Sequence, residues 1–264
     1  MKLSITTEKC VGCGLCASVC IRDNIIVNPT VEEVNNGECF ECGHCMAICP
    51  TGAITLKQFE DQMDVVEKYD ATQIPVTTEN LLDLYKQRRS IRWFKNEKID
   101  ENTFNTLFEG AYYSPSAMNK QDVEFLVVDD RLDDFIELVY EIIKVEENKF
   151  SRIKQLGEYL KDKNTCKYHP LLWEGKQLIL GFATDKTSTV IAATRIELLA
   201  YTMGLGGFYS LFIQKADEID HERLMTFFPE IDKSKHMYST FIIGYPRKKF
   251  KRTIPHKKIK ITYN

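Results

Sequence analysis

The sequence predicts an α+β protein of two domains, a small cysteine-rich one followed by a larger one in which strands alternate with helices. Three observations carry this prediction. Eight of the nine cysteines lie between Cys10 and Cys49, inside an internal repeat. A polar, aperiodic stretch follows the repeat. Beyond it, apolar residues at helical spacing alternate with short β-branched and aromatic runs. A chain of 264 residues with 44% apolar content has the material for a core in each part.

The repeat comes first in the chain. KCVGCGLCASVCIRDNIIV is followed by ECFECGHCMAICPTGAITL, so that Cys10, Cys13, Cys16 and Cys20 recur as Cys39, Cys42, Cys45 and Cys49. Each copy ends in a strand-like run, Ile25-Ile26-Val27 and Ala53-Ile54-Thr55-Leu56. The first domain is therefore expected over residues 1–57. Residues 58–78 are charged, carry Pro75 and show no periodicity, and read as a connector.

The second domain is expected over 79–264. Its first helix, about 79–90, carries LLDLY and ends on RRS. A second, about 101–113, places Phe104, Leu107, Phe108 and Ala111 at i, i+3, i+4 and i+7. VEFLVV at 123–128 reads as a strand, RLDDFIELVYEII from 131 as a helix, and QLILGFA from 177 as a strand. TVIAATRIELLAYTMG from 189 reads as a helix closing at Gly204, and YSTFIIG is a last strand before a basic tail.

Bulk properties exclude several function classes. A formal charge of −3 provides no field that would recruit nucleic acid. The longest obvious apolar run, Leu178 to Ala183, is far short of the roughly 20 residues that cross a bilayer. MKLSITTEK lacks the apolar segment of a signal peptide, so a cytoplasmic location is expected. In that setting a dense cysteine block points to metal binding rather than disulfides.

The spacing C-x2-C-x2-C-x3-C supplies three thiolates to a cubane cluster from one loop, and its fourth cysteine reaches the neighbouring cluster. On that rule Cys10, Cys13, Cys16 and Cys49 hold one cluster, and Cys39, Cys42, Cys45 and Cys20 hold the other. Gly12, Gly14 and Gly43 suit backbone that wraps closely and aims amides at sulfur. Zinc is the competing reading, but ribbon sites separate two cysteine pairs by a longer stretch and need no third cysteine in each run. His44, within C-G-H-C, reads as a solvent-facing residue between ligands. With these motifs, residues 1–57 resemble a bacterial ferredoxin with two [4Fe–4S] clusters. The proline that usually follows the last cysteine of each run is kept at Pro50 and replaced by Ile21 after Cys20.

No G-x-G-x-x-G opens a helix after a strand, so a Rossmann nicotinamide site is not supported. RRSIRWF at 88–94 gathers three arginines and a serine at a helix end, the groups that hold a phosphate monoester. YSPSAMNKQ at 113–121 sets small hydroxyl and amide side chains in a turn before a strand. Together with MGLGGF and FIIGYPRKKFKR, these segments resemble the nitroreductase family of flavin mononucleotide enzymes over about residues 79–256, with 130–175 poorly matched.

The resemblance implies a nitroreductase-like α+β domain, a mixed sheet flanked by helices, and an enzyme that is a homodimer with FMN at its interface. It places Arg88 and Ser90 at the FMN phosphate and first ribityl oxygens, with Arg89 beside them, and Arg92 towards the pyrimidine edge. A cation there stabilises the anionic reduced ring. It draws Pro115, Ser116, Ala117, Met118 and Asn119 from the second subunit, with Gln121 close by. Gly206 and Gly207 would bring backbone against the ring, and Lys251 and Arg252 would return to the phosphate, while Lys248, Lys249 and Lys257 point into water. No catalytic side chain is implied, since the flavin is the reactant. Cys166 reads as a plain thiol and Trp173 as a core residue or a stacking partner for substrate.

The expected protein is thus an oxidoreductase. It draws on a low-potential one-electron donor such as a ferredoxin, through two [4Fe–4S] clusters and FMN, and reduces a nitro compound, quinone or similar small acceptor. Its rivals are the flavin-fragmenting or dehalogenating branch of the same superfamily, and a non-catalytic electron-transfer or redox-sensing protein.

Overall fold

The computed structural model describes residues 2–34 and 39–263; the outermost limits expected for the two domains, residues 1 and 264, lie outside them. The chain divides into two compact units, Met1–Pro75 with Met118–Lys120, and Val76–Ala117 with Gln121–Asn264.

The first unit is built on the repeat. Strand β1 (Leu3–Ile5) pairs antiparallel with β4 (Ile54–Leu56), and β2 (Ile25–Val27) with β3 (Val31–Glu33). The strand that opens one half thus pairs with the strand that closes the other. Two short helices, α1 (Leu15–Ser18) and α2 (His44–Ile48), each follow a glycine in the left-handed region, Gly14 at φ 76° and Gly43 at φ 74°. A side chain at either position would be strained. Leu3, Cys16, Ile25, Val31, Ile54 and Leu56 form the small core. The buried Glu33 carboxylate accepts from the Lys2 and Leu3 amides at 2.7 and 2.9 Å.

The second unit begins with α3 (Thr78–Gln87), capped by the Thr77 hydroxyl, which accepts from the Asn80 amide. Asp100 caps α4 (Glu101–Tyr112) in the same way. There follow β5 (Glu124–Val128), α5 (Leu132–Ile143), α6 (Ser151–Lys161), β6 (Gln177–Ala183), α7 (Lys186–Thr202), β7 (Gly206–Tyr209), α8 (Leu211–Ile219), α9 (His221–Met225) and β8 (His236–Gly244). Most strong apolar periods fall on the expected elements. Strand β7 and helices α6, α8 and α9 were not signalled by them.

The sheet runs β5-β6-β8-β7. Its central strand β6 is buried along its whole length and alternates between two cores. Leu178, Leu180 and Phe182 face the core shared with α5, α6 and α8, while Ile179 faces the core shared with α4 and α7. Phe104, Leu107 and Ala111 are buried as the α4 periodicity predicts, and full burial of such a side chain stabilises by about 1.5–3 kcal/mol. The α+β class holds, but the expected mixed sheet does not. Every described ladder in it is antiparallel. The reason is topological: β8 inserts between β6 and β7, the two strands that run in the same direction, so they are never neighbours. No helix among the described residues is long and apolar enough to cross a membrane.

Candidate functional site

In the first unit the eight cysteines divide between two cavities in the crossed pattern. Cys10, Cys13, Cys16 and Cys49 line one, and Cys20, Cys39, Cys42 and Cys45 line the other. The fourth cysteine of each run therefore sits with the other loop, which follows from the pairing of strands between halves. Among the described residues no three of these sulfurs come within 4.8 Å of one another. Four thiolates on a single zinc at 2.3 Å would lie about 3.8 Å apart, so the spread fits a larger cluster better than a mononuclear ion.

Backbone amides are aimed at the sulfurs. Asn24 N–H donates to Cys20 Sγ at 3.3 Å, Ala53 N–H to Cys49 Sγ at 3.2 Å and Glu41 N–H to Cys39 Sγ at 3.4 Å. Gly12, at φ 67°, has no room for a side chain, since a Cβ would lie 2.6 Å from the Pro29 carbonyl oxygen. Burial pushes the Cys45 thiol up to about 11, so its thiolate needs a cationic partner. Burial also opposes ionisation of Cys49, but hydrogen bonds from Ala53, Thr51 and Gly52 outweigh it and pull that thiol below its ordinary value. The residues present fit two iron–sulfur clusters. His44 opens α2 and lines the second cavity.

In the second unit the fold joins three of the four motifs. Ile91 N–H donates to the Gly207 carbonyl at 2.9 Å, and Arg247 N–H to the Trp93 carbonyl at 2.9 Å. RRSIRWF is thereby stitched to β7 on one side and to the basic tail on the other. Between them lies a cavity of about 580 Å³, of the size that holds a cofactor, lined by Arg89, Lys248, Lys249, Lys251 and Arg252 with Gln87, Ile91 and Tyr201. Arg89 donates through Nη1 to the Arg88 carbonyl, while its Nη2 is buried without a partner. A buried unpaired donor costs about 1–3 kcal/mol, more when charged, and an anion in the cavity would offset that cost. The residues fit an FMN phosphate.

Some expected positions differ from this arrangement. Arg88 does not line the cavity; its Nη1 is engaged by Glu197 Oε1 on α7 at 2.8 Å. Lys248 and Lys249 are exposed, as are Lys251 and Arg252, and all four border the cavity, where the Arg247–Trp93 hydrogen bond lays the tail along the motif. Lys248 Nζ also stands 4.9 Å from the Trp93 ring centre. Ser90 is exposed. Arg92 lies over the Phe208 ring at 5.0 Å and near Trp173 at 5.8 Å, a cation held by aromatic faces. Trp173 itself packs half-buried against the larger core. Burial lowers His169 to about 4, and its Nδ1 accepts from the Leu171 and Leu172 amides, which makes it a structural residue.

The segment 115–121 is strained. Met118, Asn119 and Gln121 adopt φ of 52°, 54° and 51°, a region that non-glycine residues seldom enter and that clusters at functional sites. Ser116 Oγ accepts from the Gln121 amide, and the Ala117 amide donates to Ser188 Oγ at the start of α7. Pro115 is exposed, and residues 118–120 group with the first unit.

The helix α7 ends at Thr202, and Gly206 and Gly207 open β7. Both are buried by protein. A Cβ on Gly206 would lie 2.5 Å from Ile91 Cγ1, and one on Gly207 2.1 Å from the Ile242 carbonyl oxygen. Gly207→Ala is expected to lower thermal stability, since overpacking of this kind costs about 1–3 kcal/mol. Differential scanning calorimetry with FMN titration checks this. A variant of unchanged Tm that no longer takes up FMN would assign the glycine to the flavin instead.

Residues 85–245 match the model of the nitroreductase family, and residues 2–63 match a 4Fe-4S dicluster domain. Among curated proteins, an iodotyrosine deiodinase of Thermotoga neapolitana is 31% identical over 133 residues, covering 48% of this chain and 70% of its own length. A putative NADH dehydrogenase/NAD(P)H nitroreductase of Methanothermobacter thermautotrophicus is 25% identical over 173 residues, 65% of this chain and 80% of that protein. Among solved structures, a nitroreductase with bound FMN from Bacteroides fragilis superposes with a TM-score of 0.54 at 18% identity, covering 71% of this chain and all of that one.

Proposed function

Since this chain is a member of the nitroreductase family of oxidoreductases and carries a 4Fe-4S dicluster domain ahead of that fold, we propose that it takes up electrons singly at its cysteine-rich unit and delivers them in pairs to a small oxidised acceptor. When bound, the two clusters supply one-electron chemistry, and FMN supplies both one- and two-electron chemistry. The observation that carries the reading is the co-occurrence of two four-cysteine cavities and a five-cation cavity with a buried unpaired arginine nitrogen.

The chain's own residues would work as follows. Cys10, Cys13, Cys16 and Cys49 ligate one cluster, and Cys20, Cys39, Cys42 and Cys45 the other. Arg89, Lys251 and Arg252 hold the FMN phosphate, joined by Lys248 and Lys249. Arg88 supports them from its pairing with Glu197, and Ser90 meets the ribityl chain. Arg92 stands ready beside the ring as a cation. The strained segment from Pro115, Ser116 and Ala117 through Met118, Asn119 and Gln121 reaches the flavin of a second copy in a homodimer. Exposed Leu81, Leu82, Tyr85, Tyr112 and Tyr113 offer the apolar surface that such a dimer would cover. A cytoplasmic location, a ferredoxin-like donor and a nitro or quinone acceptor complete the proposal; cysteines in metal-ligand spacing favour a reducing compartment.

Removal of the Arg89 guanidinium tests the site. Arg89→Ala is expected to weaken FMN binding about tenfold to a hundredfold, as loss of a charge-assisted hydrogen bond costs about 1.5–3 kcal/mol. Arg92→Ala should lower the flavin potential more than it weakens binding, because its charge matters most to the reduced ring. FMN titration and potentiometry separate these; equal losses of affinity without a potential shift would reject the two roles.

The Thermotoga relative favours a second reading, reductive dehalogenation, in which a carbon–halogen bond is replaced by carbon–hydrogen as two electrons and a proton enter and halide leaves. Halide release from 3-iodotyrosine or a halophenol, compared with reduction of a nitroarene and a quinone by the same preparation, decides between them.

A further inference from the structure

Apart from the cofactor sites, one group of side chains among the described residues has the make-up and spacing to hold a metal ion. Asp217 on α8, His221 at the first position of α9 and His236 at the first position of β8 offer three ligand atoms that all lie within 4.8 Å of one another. The Asp217 side chain is only 5% exposed. Its Oδ1 lies 2.8 Å from His221 Nδ1 and its Oδ2 2.9 Å from His236 Nδ1. The two imidazole rings have centroids 4.1 Å apart.

The hydrogen-bond inventory at this cluster does not balance with neutral groups. His221 Nε2 lies 2.8 Å from the Lys233 carbonyl oxygen, which can only accept, so this nitrogen must carry its hydrogen. A neutral imidazole then presents a bare lone pair at Nδ1, and that lone pair faces a carboxylate oxygen. Two acceptors cannot stay at 2.8 Å unless something positive lies between them. A second proton on His221 would serve, and a metal ion would serve while also engaging His236, whose ring lies tilted beside it.

We propose that Asp217, His221 and His236 bind a divalent cation of the zinc class through one Asp217 oxygen and the Nδ1 atoms of both histidines, with a fourth position open to water. Zn–N and Zn–O bonds of about 2.0–2.2 Å in a tetrahedron separate ligand atoms by about 3.4 Å, roughly half an ångström beyond the present contacts. The His221 Nε2–H bond to a backbone carbonyl is the outer contact that orients a metal-ligating histidine. His236 is 43% exposed and His221 20%, which leaves a path for the ion. An N2O donor set favours zinc, cobalt or nickel over magnesium and calcium, which take oxygen ligands. The ion would tie α8 and α9 to the start of β8 and so fix the loop between them.

The test uses the full-length protein with its clusters in place, prepared anaerobically and treated with a chelator that spares them. Zinc is titrated by calorimetry and cobalt by absorption, for the wild type and for His221→Gln and His236→Gln. The expected result is one zinc per chain beyond the cluster metal and a cobalt spectrum without thiolate charge-transfer bands. Affinity should fall at least tenfold in both variants while their iron content is unchanged. Zinc at a hundred times its Kd should raise the wild-type Tm by several degrees. Equal binding by wild type and variants, or thiolate bands in the cobalt spectrum, would place the ion at the cysteines and overturn the proposal. No heat and no thermal shift in the wild type would leave a hydrogen-bonded network only, and magnesium binding as tight as zinc would reject the donor assignment.

Discussion

A chain beginning at Val76, where the second compact unit starts, is expected to lose reduction of the acceptor by a low-potential one-electron donor, falling to the background of donor and acceptor alone. The intact chain should sustain it. The reasoning is that the truncated chain keeps the five-cation cavity and the sheet but none of the eight clustered cysteines. One-electron donors then have no inlet of matched chemistry. FMN content, measured alongside activity, shows that the truncated chain is loaded. Because residues 118–120 group with the first unit, the intact chain with Cys13→Ala and Cys42→Ala is the second arm. It removes one ligand from each cavity and keeps the chain at full length, and it should lose the same activity. Full one-electron-driven activity in either form would take the clusters off the route. Rapid NADH or NADPH oxidation by the intact chain would show that nicotinamide is the donor instead.

Replacement of Cys49 by Ala should remove the cluster of the first loop, not that of the second, which holds its nearest cysteine neighbours in sequence. Iron should fall from about eight to about four per chain, and the remaining cluster should keep the signature of four thiolate ligands. Cys49 lines the cavity of Cys10, Cys13 and Cys16, and its sulfur accepts the Ala53 amide. Cys16→Ala should produce the same loss, while Cys20→Ala should spare that cluster and remove the other. Iron and sulfide analysis with electron paramagnetic resonance of the reduced variants reads this out. If Cys49→Ala and Cys45→Ala lost the same cluster, ligation would be sequential within each run.

Both predictions depend on motifs of very different legibility. The cysteine repeat announces itself because cluster ligation is a local demand: three ligands must come from one tight loop, so their spacing is fixed in sequence. Gly14 and Gly43 follow from the same demand, each at a left-handed turn into a helix. The phosphate cavity is only half legible. Arg89, Lys251 and Arg252 are visible as basic residues at helix and strand ends. Which guanidinium faces the cavity depends on Glu197, 109 positions from Arg88. Likewise, the turn of Lys248 and Lys249 into the site depends on a backbone hydrogen bond from Arg247 to Trp93.

Helices and strands with a strong apolar period were set by the sequence alone: Phe104, Leu107 and Ala111 had to form a buried stripe, and QLILGFA had to be a strand. Short elements with weak patterns, such as β7 with its two glycines, gained their structure from the strand beside them. Neither the antiparallel order of the sheet nor the arrival of His236 beside Asp217 and His221, which stand four positions apart, leaves a mark in local sequence. Both depend on β8 entering between β6 and β7, a choice made by how two cores close on opposite faces of one sheet. Local chemistry determined which residues could bind metal, anion or flavin; long-range packing decided which of them meet, because burial rewards the closing of a core without regard to distance along the chain.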